Sequence, residues 1–549
     1  MQNSLPRNDP TVKDYYQRAA QVLTARRLAW GIIAFGAGLR AAQYLFNAAL
    51  YVDEGALALN IINRSFAGLL LPLDSEQAAP IGFLFLEKLA FLTLGDGEYS
   101  LRLFPFLFSL VSLLLFYEVA RRCLASWAVP LSLLFFAVSG HLIYFAAQIK
   151  QYSSDAAITL LVILTALEVG SKELTPRRAT MLAAVGAIVV WFSHPSVFVL
   201  AGAGTALSLA AMRRKEWPRF WKLAGAYAVW VLSFAAFFMI SLRNLSGNQT
   251  LEKSWAKKGT FMPLPPLSLD DLAWFPGAFI KMFSNPLGMP FPLIAAVVFI
   301  IGCVGLLQKN KRQLLIFIAP ILFTLLASGL HKYPFGRRLL LFLIPAVLMV
   351  IAAGVQRIIT FKLPYSLAAG SAIAALLLFQ PVGGATSNML RPHAREDIKP
   401  ILAYVRDHRQ PGDLIYVYHH QRESFLYYAK RYGFEQEDYL LGIDARDETK
   451  KRADWSAYEK DLDRLRGHSR VWLMFSHVRR IQDIREDEFM LQYLNKVGSK
   501  LGEFIPGADS ETDDADQAES DEFTPAAASA YLYDLGDPAP VARSSPDEQ

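Results

Sequence analysis

Apolar runs of about twenty residues recur through the first 390 or so positions of the chain, with short charged segments between them. A helix needs about that length to cross the hydrocarbon core of a bilayer. The pattern predicts spans at 28–50, 99–120, 127–147, 155–170, 179–193, 196–212, 220–242, 291–308, 313–330, 339–356 and 364–381, about eleven in all. From about Arg391 the pattern becomes that of a soluble α/β domain. Residues 396–413 read as an amphipathic helix closed by Pro411-Gly412, followed by a strand at 414–420. A second helix is expected at 421–433, and strands at 470–478 and 530–535. The acidic run at 508–522 is too charged to fold alone and reads as a disordered insertion.

Composition agrees with the periodicity. The 549 residues are 53% hydrophobic, with a mean hydropathy of +0.26. The only cysteines, Cys123 and Cys303, lie in or beside apolar runs, so a disulfide framework is not expected and a cysteine zinc site is excluded. Alternate connections are basic: Arg26-Arg27, Arg121-Arg122, Lys172 with Arg177-Arg178, Arg213-Arg214-Lys215, Lys309 to Arg312, and Arg357 with Lys362. The positive-inside rule makes these loops cytoplasmic, together with the N-terminal segment 1–27, which reads as a retained signal anchor. An odd number of spans then leaves the C-terminal domain, 391–540, outside the cytoplasm.

The apolar run from Pro80 to Gly95 does not fit a simple crossing. It is short and carries Glu87-Lys88 in its middle, and a full crossing would move Arg121-Arg122 outside. It reads as a helix on the outer leaflet, as does the segment before it, with Ala58, Ile61, Ile62, Phe66 and Leu69 at helical spacing. The first outer loop, 51–98, is thus long. A second long loop, 243–290, is rich in proline and aromatic residues; a lid or substrate-binding element and an interfacial aromatic belt are both open readings.

Some charges oppose the topology rule. Asp53-Glu54 follow the first span directly, where two carboxylates are costly and often functional, although a solvated loop is the plain alternative. On the same outer side fall Lys150, Tyr152 and Asp155 in one short loop, and His331, Lys332, Tyr333, Arg337 and Arg338 in another. Clustered outer cations run against the inside bias, and an anionic group would account for them; arginine's planar fork suits phosphate, while ordinary lipid headgroups are the alternative. A carboxylate facing phosphate-binding cations is the minimum equipment for glycosyl transfer from a lipid phosphate. The carboxylate takes the proton of the attacking hydroxyl, and the cations stabilise the departing phosphate.

At these residues the sequence resembles the GT-C glycosyltransferases, in the branch that contains the protein O-mannosyltransferases and the aminoarabinose transferases. The resemblance covers roughly 28–381. It rests on the order of YVDEGALAL at 51–59, QAAPIGFLFLEKL at 77–89, EYSLRLFPFLFSL at 98–110, YFAAQIKQYSSD at 144–155 and YPFGRRLLLFLIP at 333–345. It implies a polytopic helical catalytic domain, here 28–385, with a catalytic acidic residue at Asp53 and Glu54 beside it. It also implies donor-phosphate contacts from Lys150 and Arg338, with Tyr152, Arg337 and Lys332 as further candidates. The aminoarabinose transferases carry a Glu-Lys pair directly before the proline of the second motif. This chain has Glu76-Gln77-Ala78-Ala79 before Pro80, which puts a ligand there in question. Some members use a divalent metal such as Mg or Mn. Asp53 with Asp155 is the pair on offer here, although Asp155 reads better as the N-cap of the following span.

The expectation is a bacterial plasma-membrane glycosyltransferase of GT-C fold that moves a sugar from a polyprenyl-phosphate carrier to an acceptor hydroxyl on a glycan, lipid or protein. The resemblance implies inversion at the anomeric carbon. A lipid-carrier transporter or flippase is the first alternative, disfavoured by nearly uncharged mid-span stretches, and a non-catalytic scaffold the second. His419, His420 and His477 sit at strand ends without a clear carboxylate partner, and no metal is expected there.

Overall fold

The computed structural model describes residues 12–243, 249–390, 397–447, 452–481, 484–506 and 528–536, so the acidic run at 508–522 lies outside the described residues. The chain divides into two compact units. One comprises Met1–Asn47 with Ile61–Pro392, and the other Ala48–Asn60 with His393–Gln549.

The first unit is helical. Its early helices are α1 (Val12–Phe46), the end of α2 (Val52–Asn63), α3 (Ile81–Leu94), α4 (Glu98–Cys123), α5 (Ala128–Ala137), α6 (Gly140–Phe145), α7 (Tyr152–Ser171) and α8 (Pro176–Val189). Among the described residues eight helices are long and apolar enough to cross a membrane: α4, α7, Ser196–Arg213, Trp217–Leu242, Pro292–Lys309, Lys311–Gly329, Arg337–Ile359 and Ser366–Leu390. The protein is an integral membrane protein. Three expected spans are not among the eight. The run at 28–50 falls on the later part of α1, which closes at Phe46. The run at 127–147 breaks at Val138-Ser139 into α5 and α6, and the run at 179–193 becomes the 14-residue α8. Pro80 stands as the N-cap of α3, which has 14 residues and is not among the eight.

Small residues set the closest helix approach. Gly302 and Gly354 face each other across Pro292–Lys309 and Ile344–Ile359, where an added Cβ would run into the Val350 or Val298 carbonyl. Without a hydrophobic drive between helices in lipid, such backbone contact is what dispersion can use. Arg337–Ile359 is the most enclosed of the eight, and its side chains fill the centre of the apolar core.

The second unit is an α/β domain. A five-stranded mixed sheet runs in the order β2-β1-β3-β5-β4, with β1 Leu414–Val417, β2 Tyr439–Leu441, β3 Val471–Phe475, β4 Ser499–Phe504 and β5 Ser529–Asp534. β1 is parallel to β2 and β3, while β5 runs antiparallel to β3 and β4. β3 is buried along its whole length, as its unbroken apolar stretch Val-Trp-Leu-Met-Phe requires of a strand covered on both faces. The expected helices appear as Lys399–His408 and Arg422–Ala429. Helices Trp455–Leu462 and Glu486–Val497 and the strands β2 and β4 were not anticipated; β2 is only three residues long, and the other segments are short and carry charges that blur their periodicity.

Candidate active site

Asp53 and Glu54 stand in the first turn of α2. The Tyr51 carbonyl accepts from the backbone N–H groups of Glu54 and Gly55, each at 2.8 Å, so Tyr51 is the residue that opens the helix. The Glu54 carboxylate reaches back to accept from the Tyr51 N–H at 3.2 Å. This is one half of a capping box, and it gives Glu54, which is 1% exposed, a structural task at the helix start. Asp53, one residue earlier, is half-buried. A carboxylate in the first turn is also favoured by the positive end of the helix dipole.

The cationic residues belong to the membrane unit. Lys150 is buried just before α7, and its Nζ donates to Gln77 Oε1 at 2.6 Å. Gln77 is therefore a partner of a candidate phosphate ligand. Glu76, Gln77, His194 and Ser241 border a cavity of about 80 Å³ beside it, well below the roughly 300–1,000 Å³ of ordinary ligand clefts. Tyr152 is the first residue of α7 and is buried with its ring edge-on to Phe145 at 4.7 Å.

Asp155 corrects the expectation of an N-cap. The capping position of α7 is Gln151, and Asp155 lies inside the first turn, where it is buried and its N–H donates to the Gln151 carbonyl. The sequence SSD suggested a cap one turn too late, because the helix begins at Tyr152.

Arg337 and Arg338 open a 3-10 helix, Arg337–Leu343, and both are half-buried. Arg337 takes a left-handed φ of 52°, a costly conformation for a residue with a Cβ and one that clusters at functional sites. Two contacts hold the turn. The Phe335 N–H donates to the Thr260 carbonyl at 2.7 Å, and the Tyr333 hydroxyl donates to the Leu339 carbonyl at 2.9 Å. The 3-10 helix packs on α7. Burial pushes the Tyr333 hydroxyl well above its ordinary pKa, and the nearby Asp155 and Tyr152 push it the same way. The two expected cationic loops therefore meet within one unit. Lys332 is exposed on the rim of its loop.

The three histidines lie in the second unit. His419 Nε2 is 3.8 Å from Asp444 and 3.9 Å from Glu486, so carboxylates that the local sequence did not reveal do stand near it. Burial holds the imidazole neutral, with a pKa lowered to about 4. Tyr458 donates to the other Glu486 oxygen at 2.7 Å and Tyr418 donates to the nearer one, while Arg446 pairs with Asp444. Among the described residues no three His, Cys, Asp or Glu side chains gather closely enough to hold a metal ion. Neither Asp53 nor Asp155 belongs to such a group among the described residues.

Similarity to solved structures fixes the fold. The chain matches the crystal structure of ArnT from Cupriavidus metallidurans in the apo state with a TM-score of 0.51 and 13% identity, over 91% of this chain and 97% of that one. The same figures hold for that protein bound to undecaprenyl phosphate. The chain has the GT-C fold. A looser similarity, TM-score 0.47 at 13% identity, links 88% of the chain to 75% of the apo oligosaccharyltransferase of Archaeoglobus fulgidus. No family model matches the sequence, and no curated protein matches it.

Proposed function

We propose that the protein is a membrane glycosyltransferase that transfers a sugar from a polyprenyl-phosphate carrier to an acceptor hydroxyl, with inversion, on the extracytoplasmic side of a bacterial plasma membrane. The observation that carries this reading is the GT-C fold match over nearly the whole of both chains, one of them solved with a polyprenyl phosphate. The chemistry follows from the residues. Asp53 accepts the proton of the acceptor hydroxyl while the hydroxyl oxygen attacks the anomeric carbon. The bond from that carbon to the lipid phosphate breaks, and the phosphate leaves as an anion. Lys150, Arg337 and Arg338 hold that anion, with Tyr152 and Lys332 at its margin, so no second carboxyl is needed as general acid. Glu54 holds the turn that presents Asp53. The domain 391–540 lies outside the cytoplasm in this reading, and residues 28–385 form the catalytic membrane domain.

Turnover of radiolabelled sugar from a polyprenyl-phosphate donor, with product identified by mass spectrometry of glycans and glycolipids, tests the reading. Asp53→Asn should lower kcat by roughly 10²–10⁴ with donor binding little changed. Glu54→Gln should act more mildly, and the double variant should resemble Asp53→Asn. Arg338→Ala should weaken donor binding by about 2–5 kcal/mol, with lysine restoring only part of it. Full turnover in the double variant removes the proposed base and returns weight to lipid-carrier transport.

A further inference from the structure

The segment that carries Asp53 is claimed by a domain more than 300 residues away in sequence. Ala48–Asn60 forms one compact unit with His393–Gln549. Three contacts within that unit bracket the carboxylates. Before them, the Leu50 N–H donates to the Tyr428 hydroxyl at 3.0 Å, and Tyr428 is 2% exposed. Next, the Tyr51 ring meets the His477 imidazole edge-on, with centroids 4.5 Å apart. After them, Gly55 lies on the start of helix Arg422–Ala429. A Cβ there would stand 2.9 Å from the Ser424 nitrogen and 3.0 Å from the Glu423 carbonyl carbon and oxygen. Those are backbone atoms and cannot swing aside, so only glycine permits this approach.

His477 is itself held. It follows β3 and Ser476, takes a left-handed φ of 57° and is 1% exposed, and the Ser476 hydroxyl lies 2.8 Å from its Nδ1. A non-glycine residue kept in that conformation signals a surrounding structure that over-determines it. The contacts at Leu50, Tyr51 and Gly55 fix the backbone on both sides of Asp53 and Glu54, and the Tyr51 N–H to Glu54 bond closes the turn between them.

We infer that the C-terminal domain holds the Asp53 turn in its working position, with Gly55, Tyr51, Tyr428 and His477 as positioning residues. This inference rests on the glycosyltransferase reading only for its kinetic arm. A carboxylate displaced by about 1 Å from the attacking hydroxyl loses roughly 100-fold in rate, while the donor's phosphate grip is untouched. The signature is therefore a fall in kcat without a rise in donor KM.

The test uses full-length protein in lipid nanodiscs and two readouts, hydrogen–deuterium exchange of residues 48–60 and steady-state turnover. Gly55→Ala should raise exchange in 48–60 by at least about tenfold with the sheet strands unchanged, and lower kcat by roughly 10–100-fold with KM within about twofold. His477→Ala should act in the same direction, and His477→Phe, which keeps the ring contact, should restore most of the protection and rate. Tyr428→Phe removes a hydroxyl alone and should loosen the segment by a few-fold even if the glycine variant does not fold. Wild-type exchange in 48–60 and wild-type kcat in Gly55→Ala and Tyr428→Phe would overturn the inference. Raised exchange in the variants of a protein that turns over no lipid-linked sugar would sink the proposed function and leave the positioning role standing.

Discussion

The two units bury charge by different means. In the membrane unit, three cations, Arg40, Lys88 and Arg219, bond backbone carbonyls, while Lys150 bonds the Gln77 side chain. Arg40 is fully buried midway along a predicted span, and its guanidinium donates to the Ala137 carbonyl at 3.0 Å, the Phe136 carbonyl at 3.4 Å and its own Gly36 carbonyl at 2.9 Å. Phe136 and Ala137 are the last residues of α5, where the break before α6 leaves carbonyls without intrahelical partners. Lys88 does the same at the end of α2, bonding the Ile61 and Ile62 carbonyls at 2.9 and 3.1 Å, and Arg219 bonds Val169 near the end of α7 at 2.6 Å. In the C-terminal unit the partners are side chains. Tyr418 and Tyr458 converge on Glu486, Tyr416 donates to Asp461 at 2.8 Å, and Arg470 and Trp472 share Asp413 at 2.8 and 2.9 Å.

Lipid explains the difference. Placing a carboxylate beside each buried cation would desolvate a second charge, and the mutual attraction often fails to offset that cost. A helix C-terminus offers carbonyls that already need donors and sits at the negative end of the helix dipole. The aqueous domain has no such constraint and builds carboxylate-centred clusters. The pairs Glu118 with Arg121 and Glu168 with Arg122 and Lys172 are no exception, because they stand at the charged ends of α4 and α7, partly exposed.

Glu486→Ala gives the largest test of this contrast. Two buried tyrosine hydroxyls lose their acceptor, and unfolding of the full-length protein should become easier by about 3–5 kcal/mol, with Glu486→Gln recovering part of it. Arg40→Met should cost less, about 1–3 kcal/mol, since the stranded carbonyls are partly offset by removing a buried charge. Denaturant melts of the two variants side by side decide the matter, and a larger loss for Arg40→Met would break the comparison.

A smaller effect concerns pH. The folded pKa of His419, about 4, lies below its ordinary 6.5, so the unfolded chain binds more protons between those values. Stability carried by neutral His419 is complete above pH 6.5 and is lost as pH falls toward 4; burial of His420 acts in the same direction. Glu486, with its pKa raised by burial, opposes this. The full-length protein should be about 1–2 kcal/mol less stable at pH 5 than at pH 7, and His419→Gln should flatten that dependence. An unchanged slope in the variant would mean that His419 is not what burial keeps neutral.

Legibility differed between features for physical reasons. Span length and composition are properties of the local chain, so eight of the expected crossings stand as single long helices. The break after Ala137 falls at Val138-Ser139-Gly140-His141, a short polar interruption that the long apolar runs on either side outweigh in a twenty-residue window, and Arg40 fills it from α1. The Asp155 cap failed because a helix start moved by a few residues changes which side chain can reach its free N–H groups. The carboxylates near His419 come from Asp444 and Glu486, in a loop after β2 and at a helix start, which local periodicity cannot bring together.

By itself the sequence determined the membrane-bound helical body, the α/β domain after it, and the chain order of the carboxylates and the clustered cations. These follow from apolar length, charge bias and strand or helix period, each of which acts within a dozen or two residues. Tertiary structure alone decided that Glu54 closes its own helix start, that Gln77 meets Lys150, and that Ala48–Asn60 packs with the C-terminal domain. The Leu50 to Tyr428 bond joins residues 378 positions apart, and no local preference of either residue encodes such a partner. Only the packed backbone, close enough at Gly55 to exclude a single methyl group, brings that partner within reach.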